Sequence, residues 1–180
     1  MYFFRYWIND PLLEKIKEEV NEAKDTYDSL VSKEKHNIST CGSKQYDLSP
    51  KVASDKLVQT NKTLKEIIKD SLDKEVFYKT AWSVIGTKGG YHTVHNHNNY
   101  VNGAFGQTTD KDICTVLYLD VQPEERPWEQ GTFFYWKDNT FHEVEPKSGD
   151  LLVFPADLYH GTYPQSAETR WTLNIDFGIK

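Results

Sequence analysis

At Glu75 the apolar pattern of the chain changes period, and this change demands two kinds of structure in series. Before it, Leu12, Leu13, Ile16, Val20, Ala23, Tyr27 and Leu30 recur at helical spacing among Glu and Lys residues, which predicts an amphipathic helix with one buried side. Asp10-Pro11 supplies its start, an Asp N-cap followed by a proline at the first helical position, where the missing N–H costs nothing. A second helix, opening at Ser49-Pro50 or at Ser54, carries Leu57, Leu64, Ile67, Ile68 and Leu72 on the same period. Residues 32–48 between them read as a polar loop containing Gly42, with His36 as a solvated histidine.

Beyond Glu75 alternation takes over to the end of the chain. It predicts strands at Val76–Gly86, Tyr91–His97, Ile113–Val121, Thr132–Lys137, Phe141–Glu145, Leu151–Phe154, Leu158–Thr162 and Arg170–Phe177. Short strands divided by Gly and Pro and preceded by two helices predict a mainly β fold, a sandwich or jelly roll with the helices packed on one outer face. In the last strand Trp171, Leu173, Ile175 and Phe177 alternate with Arg170, Thr172, Asn174 and Asp176, so one face is apolar and the polar one can line a site.

A length of 180 residues suits one domain, with a helical part over 1–75 and the β part over 76–180, and its core needs no disulfides. The aromatic content of 14% favours strands. No apolar run reaches the roughly 20 residues that span a bilayer. The start, Met1-Tyr2-Phe3-Phe4-Arg5-Tyr6-Trp7, lacks the features of a signal peptide, and Cys41 and Cys114 form no disulfide framework; both point to a reducing cytoplasm. A net charge of −6 argues against a nucleic-acid partner.

The stretch Gly90-Tyr91-His92-Thr93-Val94-His95-Asn96-His97-Asn98-Asn99 holds three of the six histidines. On a strand His95 and His97 point to one side, and two converging neutral imidazoles suit a first-row metal ion; the plainer alternative is a polar surface strand. The irregular segment from Asn98 to Asp112 follows directly and is a candidate lid. Further on, Gly149 to Gly161 combines a turn glycine, a buried strand, a proline turn and His160. Arg170 and Thr172 come next on a polar face. A third imidazole and a fixed cation are what a site needs to hold a metal and a dicarboxylate together.

From about Trp82 to Phe177 the chain resembles the iron(II)- and 2-oxoglutarate-dependent oxygenases, in particular a group found in bacteria and their viruses. The matching pieces are Trp82, His95-Asn96-His97, Thr115-Val116-Leu117-Tyr118-Leu119, Gly131, and Gly149, Phe154-Pro155, His160 and Arg170-Trp171-Thr172 in that order. The resemblance implies a double-stranded β-helix. It implies that His95 and His160 bind Fe(II) and that Arg170 pairs with the distal carboxylate of 2-oxoglutarate, aided by Thr172 and the Tyr118 hydroxyl. Position 97 departs from the usual His-x-Asp or His-x-Glu, so His97 is expected as the third ligand, with Asp110 or Asp112 as the alternative. His92 has the opposite parity and should face away; it and His142 read as structural. The implied reaction consumes O2 and 2-oxoglutarate, releases succinate and CO2, and hydroxylates a C–H bond of a small-molecule or peptidyl substrate. Residues 98–112, Tyr100 and Phe105 within them, and the Pro123–Gln130 segment would select that substrate.

Two other readings use the same residues. Gly89 ahead of His95-x-His97, and Gly149 ahead of Pro155 and His160, echo a cupin, but the cupin glutamate is missing from Asn98-Asn99-Tyr100-Val101-Asn102. A non-catalytic jelly-roll module would instead bind a sugar or peptide on Trp128, Phe133, Tyr135 and Trp136.

Overall fold

Three strands are buried on both faces, which requires covering layers on both sides of the sheet that contains them. A computed structural model describes residues 2–30, 40–53, 55–97, 112–122, 126–136 and 138–180. Its elements are β1 (Phe4–Trp7), α1 (Asp10–Leu30), β2 (Thr40–Asp47), α2 (Pro50–Ala53), α3 (Val58–Leu72), β3 (Val76–His92), β4 (Ile113–Val121), β5 (Thr132–Tyr135), β6 (Phe141–Glu143), β7 (Asp150–Pro155), β8 (Tyr159–Thr162) and β9 (Thr169–Ile179). A short 3-10 turn, Pro127–Gln130, precedes β5. The strands form a major antiparallel sheet, β1-β7-β4-β9-β3-β2, and a minor one, β6-β5-β8.

Alternation assigns the layers. Ile113, Leu117 and Leu119 of β4, Leu151 and Val153 of β7, and Leu173, Ile175 and Phe177 of β9 pack with Ile16, Val20, Leu64 and Ile68 of the helices. The intervening residues, Cys114, Val116 and Tyr118 of β4 and Leu152 and Phe154 of β7, face the minor sheet and meet Phe134 of β5. On β9 the residues of that second parity are Arg170, Thr172, Asn174 and Asp176, so the polar strand face predicted above is enclosed between the sheets instead of facing solvent.

The two edge strands, β1 and β2, escape the sequence pattern. Each pairs with one neighbour only, β1 with β7 and β2 with β3, and the polar run in Thr40–Asp47 hides a strand inside the expected loop. His36 lies outside the described residues. β3 continues through Gly86, Gly89 and Gly90, where a break was expected, because β2 pairs along it as far as Thr40 opposite His92. A register shift at Gly42 accommodates this, and Gly42 and Gly89 take left-handed φ values of 65° and 79°.

The helix starts also need correction. The Leu12 N–H donates to the Asn9 side chain at 3.2 Å, so Asn9 caps α1 and Asp10 already lies within it. The expected second helix is divided into α2 and α3, with Leu57 at the start of α3 buried in the core. The expectation of helices on one outer face holds.

Gly131 shows how tightly the minor sheet is built. A Cβ there would lie 1.6 Å from the Val144 carbonyl oxygen, and its neighbour Gln130 presents its own carbonyl to Arg170. Gly131→Ala is therefore expected to destabilise the fold by about 1–3 kcal/mol through overpacking, read as a lower denaturant midpoint. An unchanged midpoint would mean that β5 and β6 separate more easily than this contact implies.

Candidate active site

β3 leaves the major sheet after His92, and the next residues cross to the minor one. There His95 and His160 form an isolated antiparallel bridge: the His95 N–H donates to the His160 carbonyl at 2.9 Å and the His160 N–H returns the bond at 2.8 Å. Two residues on, the His97 N–H donates to the Ala156 carbonyl at 2.8 Å. Main-chain bonds thus position all three histidines. Their ring centroids lie 4.4 Å (His95 to His160), 5.0 Å (His97 to His160) and 5.4 Å (His95 to His97) apart, and one ring nitrogen from each falls within 4.8 Å of the others.

Which nitrogen is available follows from what the other one touches. Nδ1 of His95 is 2.7 Å from the Thr93 carbonyl oxygen, and Nδ1 of His160 is 2.9 Å from that of Leu158. Nδ1 of His97 is 3.0 and 2.9 Å from the two carboxylate oxygens of Asp176. A carbonyl or carboxylate oxygen can only accept, so each Nδ1 carries the proton and each Nε2 keeps a lone pair. Three such nitrogens suit a first-row divalent ion, with the partners at Nδ1 holding each ring in orientation.

Burial keeps the His95 and His160 rings neutral. It lowers His95 to about 4, with the neighbouring His97 contributing, and takes His160, packed between Phe134 and Phe154, well below its ordinary value. His92 falls to about 3, through burial and then the charge of Arg170. Contrary to its strand parity, His92 lines the same pocket as His95, because the chain leaves regular strand geometry between them; it is not part of the three-ring cluster. His142 lies elsewhere, against Phe3.

The pocket between the sheets has a volume of about 40 Å³ and is lined by His95, His160, Tyr118, Arg170 and Thr172 among others. Arg170 is 2% exposed. Its Nη1 donates to the Gln130 carbonyl at 2.9 Å, while its buried Nε has no partner among the described residues. Burial accordingly lowers its pKa. A buried guanidinium with an unused donor, and with no carboxylate bonded to it among the described residues, has the chemistry to receive an anion. Thr172 follows on the same face of β9, and the Tyr118 hydroxyl lies 2.7 Å from Thr132 Oγ1. All the residues predicted for metal and cosubstrate therefore meet around one cavity, except that His97 is reached through the ring cluster and not through the pocket lining.

Of the expected alternatives, Asp112 forms a buried ion pair with Lys79 at 2.6 Å and belongs to no metal-sized cluster among the described residues, while Asp110 and all of the candidate lid before Asp112 lie outside the described residues. Trp128 and Tyr135 are partly exposed, but Phe133 packs on Phe141 and Tyr163, and Trp136 on Phe3. Two neighbours of His97 escaped the sequence reading. One is Asp176, whose place on the polar face of β9 was visible although its partner was not. The other is Cys114, a free buried thiol with Sγ 3.0 Å from His97 Nδ1 and a pKa raised well above its usual value, by burial first.

Residues 80–176, more than half of the chain, match the sequence profile of the 2OG-Fe(II) oxygenase family. The chain belongs to that family. Its cofactors are accordingly Fe(II) and 2-oxoglutarate, and membership decides against the cupin. A search of curated proteins finds no match. Among solved structures, the fold is similar to a Pseudomonas putida prolyl-4-hydroxylase (17% identity, TM-score 0.68, covering 99% of this chain and 92% of that one). It is similar also to a Trichoplax adhaerens prolyl hydroxylase in complex with a hypoxia inducible factor peptide fragment (12%, TM-score 0.69, 97% and 82%). A third is HygX from Streptomyces hygroscopicus with nickel, 2-oxoglutarate and hygromycin B bound (16%, TM-score 0.66, 98% and 82%). No described helix is long and apolar enough to cross a membrane.

The depressed histidine values give this oxygenase a pH signature. The unfolded chain takes up protons at His95 near pH 6.5, whereas the folded one resists until about 4, so unfolding gains protons across that window. The metal-free protein is expected to melt at progressively lower temperature as pH falls from about 6.5 towards 4, and His95→Ala should flatten that slope. A melting temperature of the unmodified protein that stayed level over this range would contradict the burial of these rings.

Proposed function

We propose that this oxygenase holds Fe(II) on Nε2 of His95, His97 and His160, binds 2-oxoglutarate through Arg170, and hydroxylates a C–H bond of a small-molecule or peptidyl substrate. The observation that carries the reading is the pairing of three outward-proton-locked imidazoles with an under-bonded buried guanidinium around one cavity. Donor set and charge both fit the cofactors: neutral nitrogens for the metal, a fixed cation for the dicarboxylate.

When bound, iron and 2-oxoglutarate supply the oxidising chemistry, in which O2 and 2-oxoglutarate yield succinate, CO2 and a hydroxylated product. The chain's own part is binding, orientation and exclusion of water. Arg170 offers Nε and its remaining Nη protons to the distal carboxylate, a fork that stays charged when desolvated. Thr172 adds a hydroxyl to the same wall. Burial raises the Tyr118 pKa, so its hydroxyl keeps the proton with which it can donate. Phe134 and Phe154 shield His160 from solvent.

We read residues 1–180 as one domain of double-stranded β-helix type. Supporting that is the 95–160 bridge, which sets the segment after β3 beside β8 as a fourth rung of the minor sheet. The substrate classes rest on similar proteins whose structures hold a peptide or hygromycin B. A negative net charge disfavours nucleic acid, and the free thiol of Cys114 suits a reducing compartment such as the cytoplasm.

Anaerobic addition of Fe(II) and 2-oxoglutarate should produce a metal-to-ligand charge-transfer band, and admission of air should release succinate. Arg170→Ala should weaken 2-oxoglutarate binding at least about 30-fold while leaving Fe(II) binding in place. Equal 2-oxoglutarate affinity in that variant would sink the cosubstrate assignment, and absence of Fe(II) binding by the unmodified protein would sink the metal assignment.

A further inference from the structure

The sequence places an imidazole, His97, where a facial triad has a carboxylate, which removes one negative charge from the metal's immediate ligands. Asp176 bears on that deficit. Its two carboxylate oxygens straddle Nδ1 of His97 at 3.0 and 2.9 Å, with side-chain exposures of 8% for His97 and 4% for Asp176. Its other partner is the Cys114 thiol. Among the described residues no Lys or Arg pairs with it, and Lys79, whose charge acts on Cys114, is engaged by Asp112 at 2.6 Å. A buried carboxylate without a counter-cation is expensive, and this one is aimed through an imidazole at the point where the three rings converge.

We propose that Asp176 is the positioning residue of the metal centre, supplying through His97 the negative charge that a His-x-Asp or His-x-Glu sequence would place on the metal directly. The inference rests on the ligand assignment proposed above. A divalent ion on Nε2 of His97 becomes the missing counter-charge of Asp176, one imidazole away. In return, the carboxylate holds the Nδ1 proton, sets the ring orientation and raises the basicity of Nε2. Two consequences follow. The carboxylate strengthens metal binding, whereas the metal-free fold, in which no Lys or Arg among the described residues pairs with Asp176, has no such ion pair to lose when that carboxylate is replaced by an amide.

This pair of consequences separates positioning from ordinary structural support. Asp176→Asn keeps the shape and an oxygen that accepts from Nδ1 but removes the charge; Asp176→Glu keeps the charge on a longer arm. Metal-free proteins are compared by thermal melting, and each is titrated with Co(II) followed by its visible spectrum. The Asn variant is expected to melt no lower than the unmodified protein when metal-free, and to bind Co(II) about 10–100-fold more weakly. The Glu variant should recover part of that affinity. In a His97→Ala background Asp176→Asn should cost nothing further, because the effect travels through His97. The inference is overturned if the Asn variant binds Co(II) as tightly as the unmodified protein, or if its metal-free form is unfolded or melts lower, which would make Asp176 a structural residue. Failure of the unmodified protein to bind Co(II) would instead overturn the ligand assignment itself.

Discussion

The structure depends on the double-sided burial of β4, β7 and β9. Strands apolar on both faces cannot border water on either side, so the helices cover one face and the minor sheet the other. The exception to that apolarity is the polar parity of β9. Arg170, Thr172, Asn174 and Asp176 lie on the inner face that Leu152 and Phe154 occupy on β7, one strand beyond the neighbouring β4, and the first three line the pocket between the sheets. The site is thus a polar interruption of a core position, not a feature added at the surface, and its groups inherit the low dielectric of their surroundings.

That inheritance explains the electrostatics. Water is largely withheld from Arg170 and from the histidines, so each is driven towards its neutral form or towards a partner. His95 and His160 respond by staying neutral, the state in which an imidazole can ligate a metal. Guanidinium cannot give up its proton in the working range and is left short of a carboxylate. Among the described residues neither Arg170 in the pocket nor Asp176 behind His97 pairs with an opposite charge from a Lys, Arg, Asp or Glu side chain, and under the proposed assignment 2-oxoglutarate and the ferrous ion would supply those charges. Family membership, which names those two cofactors, and the charge balance of the cavity therefore agree.

Much of this was legible in the residue pattern because period-2 alternation reports burial directly. β4 lies at its predicted limits, and the polar face of β9 was identified with its members. Edge strands β1 and β2 were not legible, since a strand with one neighbour and one exposed side needs little apolar content to persist. The assignment of His92 to the far side failed for a related reason: parity counts only within a continuous strand, and the chain changes sheets directly after that residue.

Sequence alone determined the types of group and their order along the chain: two closely spaced imidazoles, a third after a proline turn, then a guanidinium and a hydroxyl on one strand face. Local periodicity carries that information, because it depends only on neighbours in the chain. Only the tertiary structure decided that Nδ1 of His97 faces Asp176 and that Arg170 meets no carboxylate among the described residues. Those are contacts across 79 positions of sequence or the absence of any contact, and they are settled by how the two sheets close on one another.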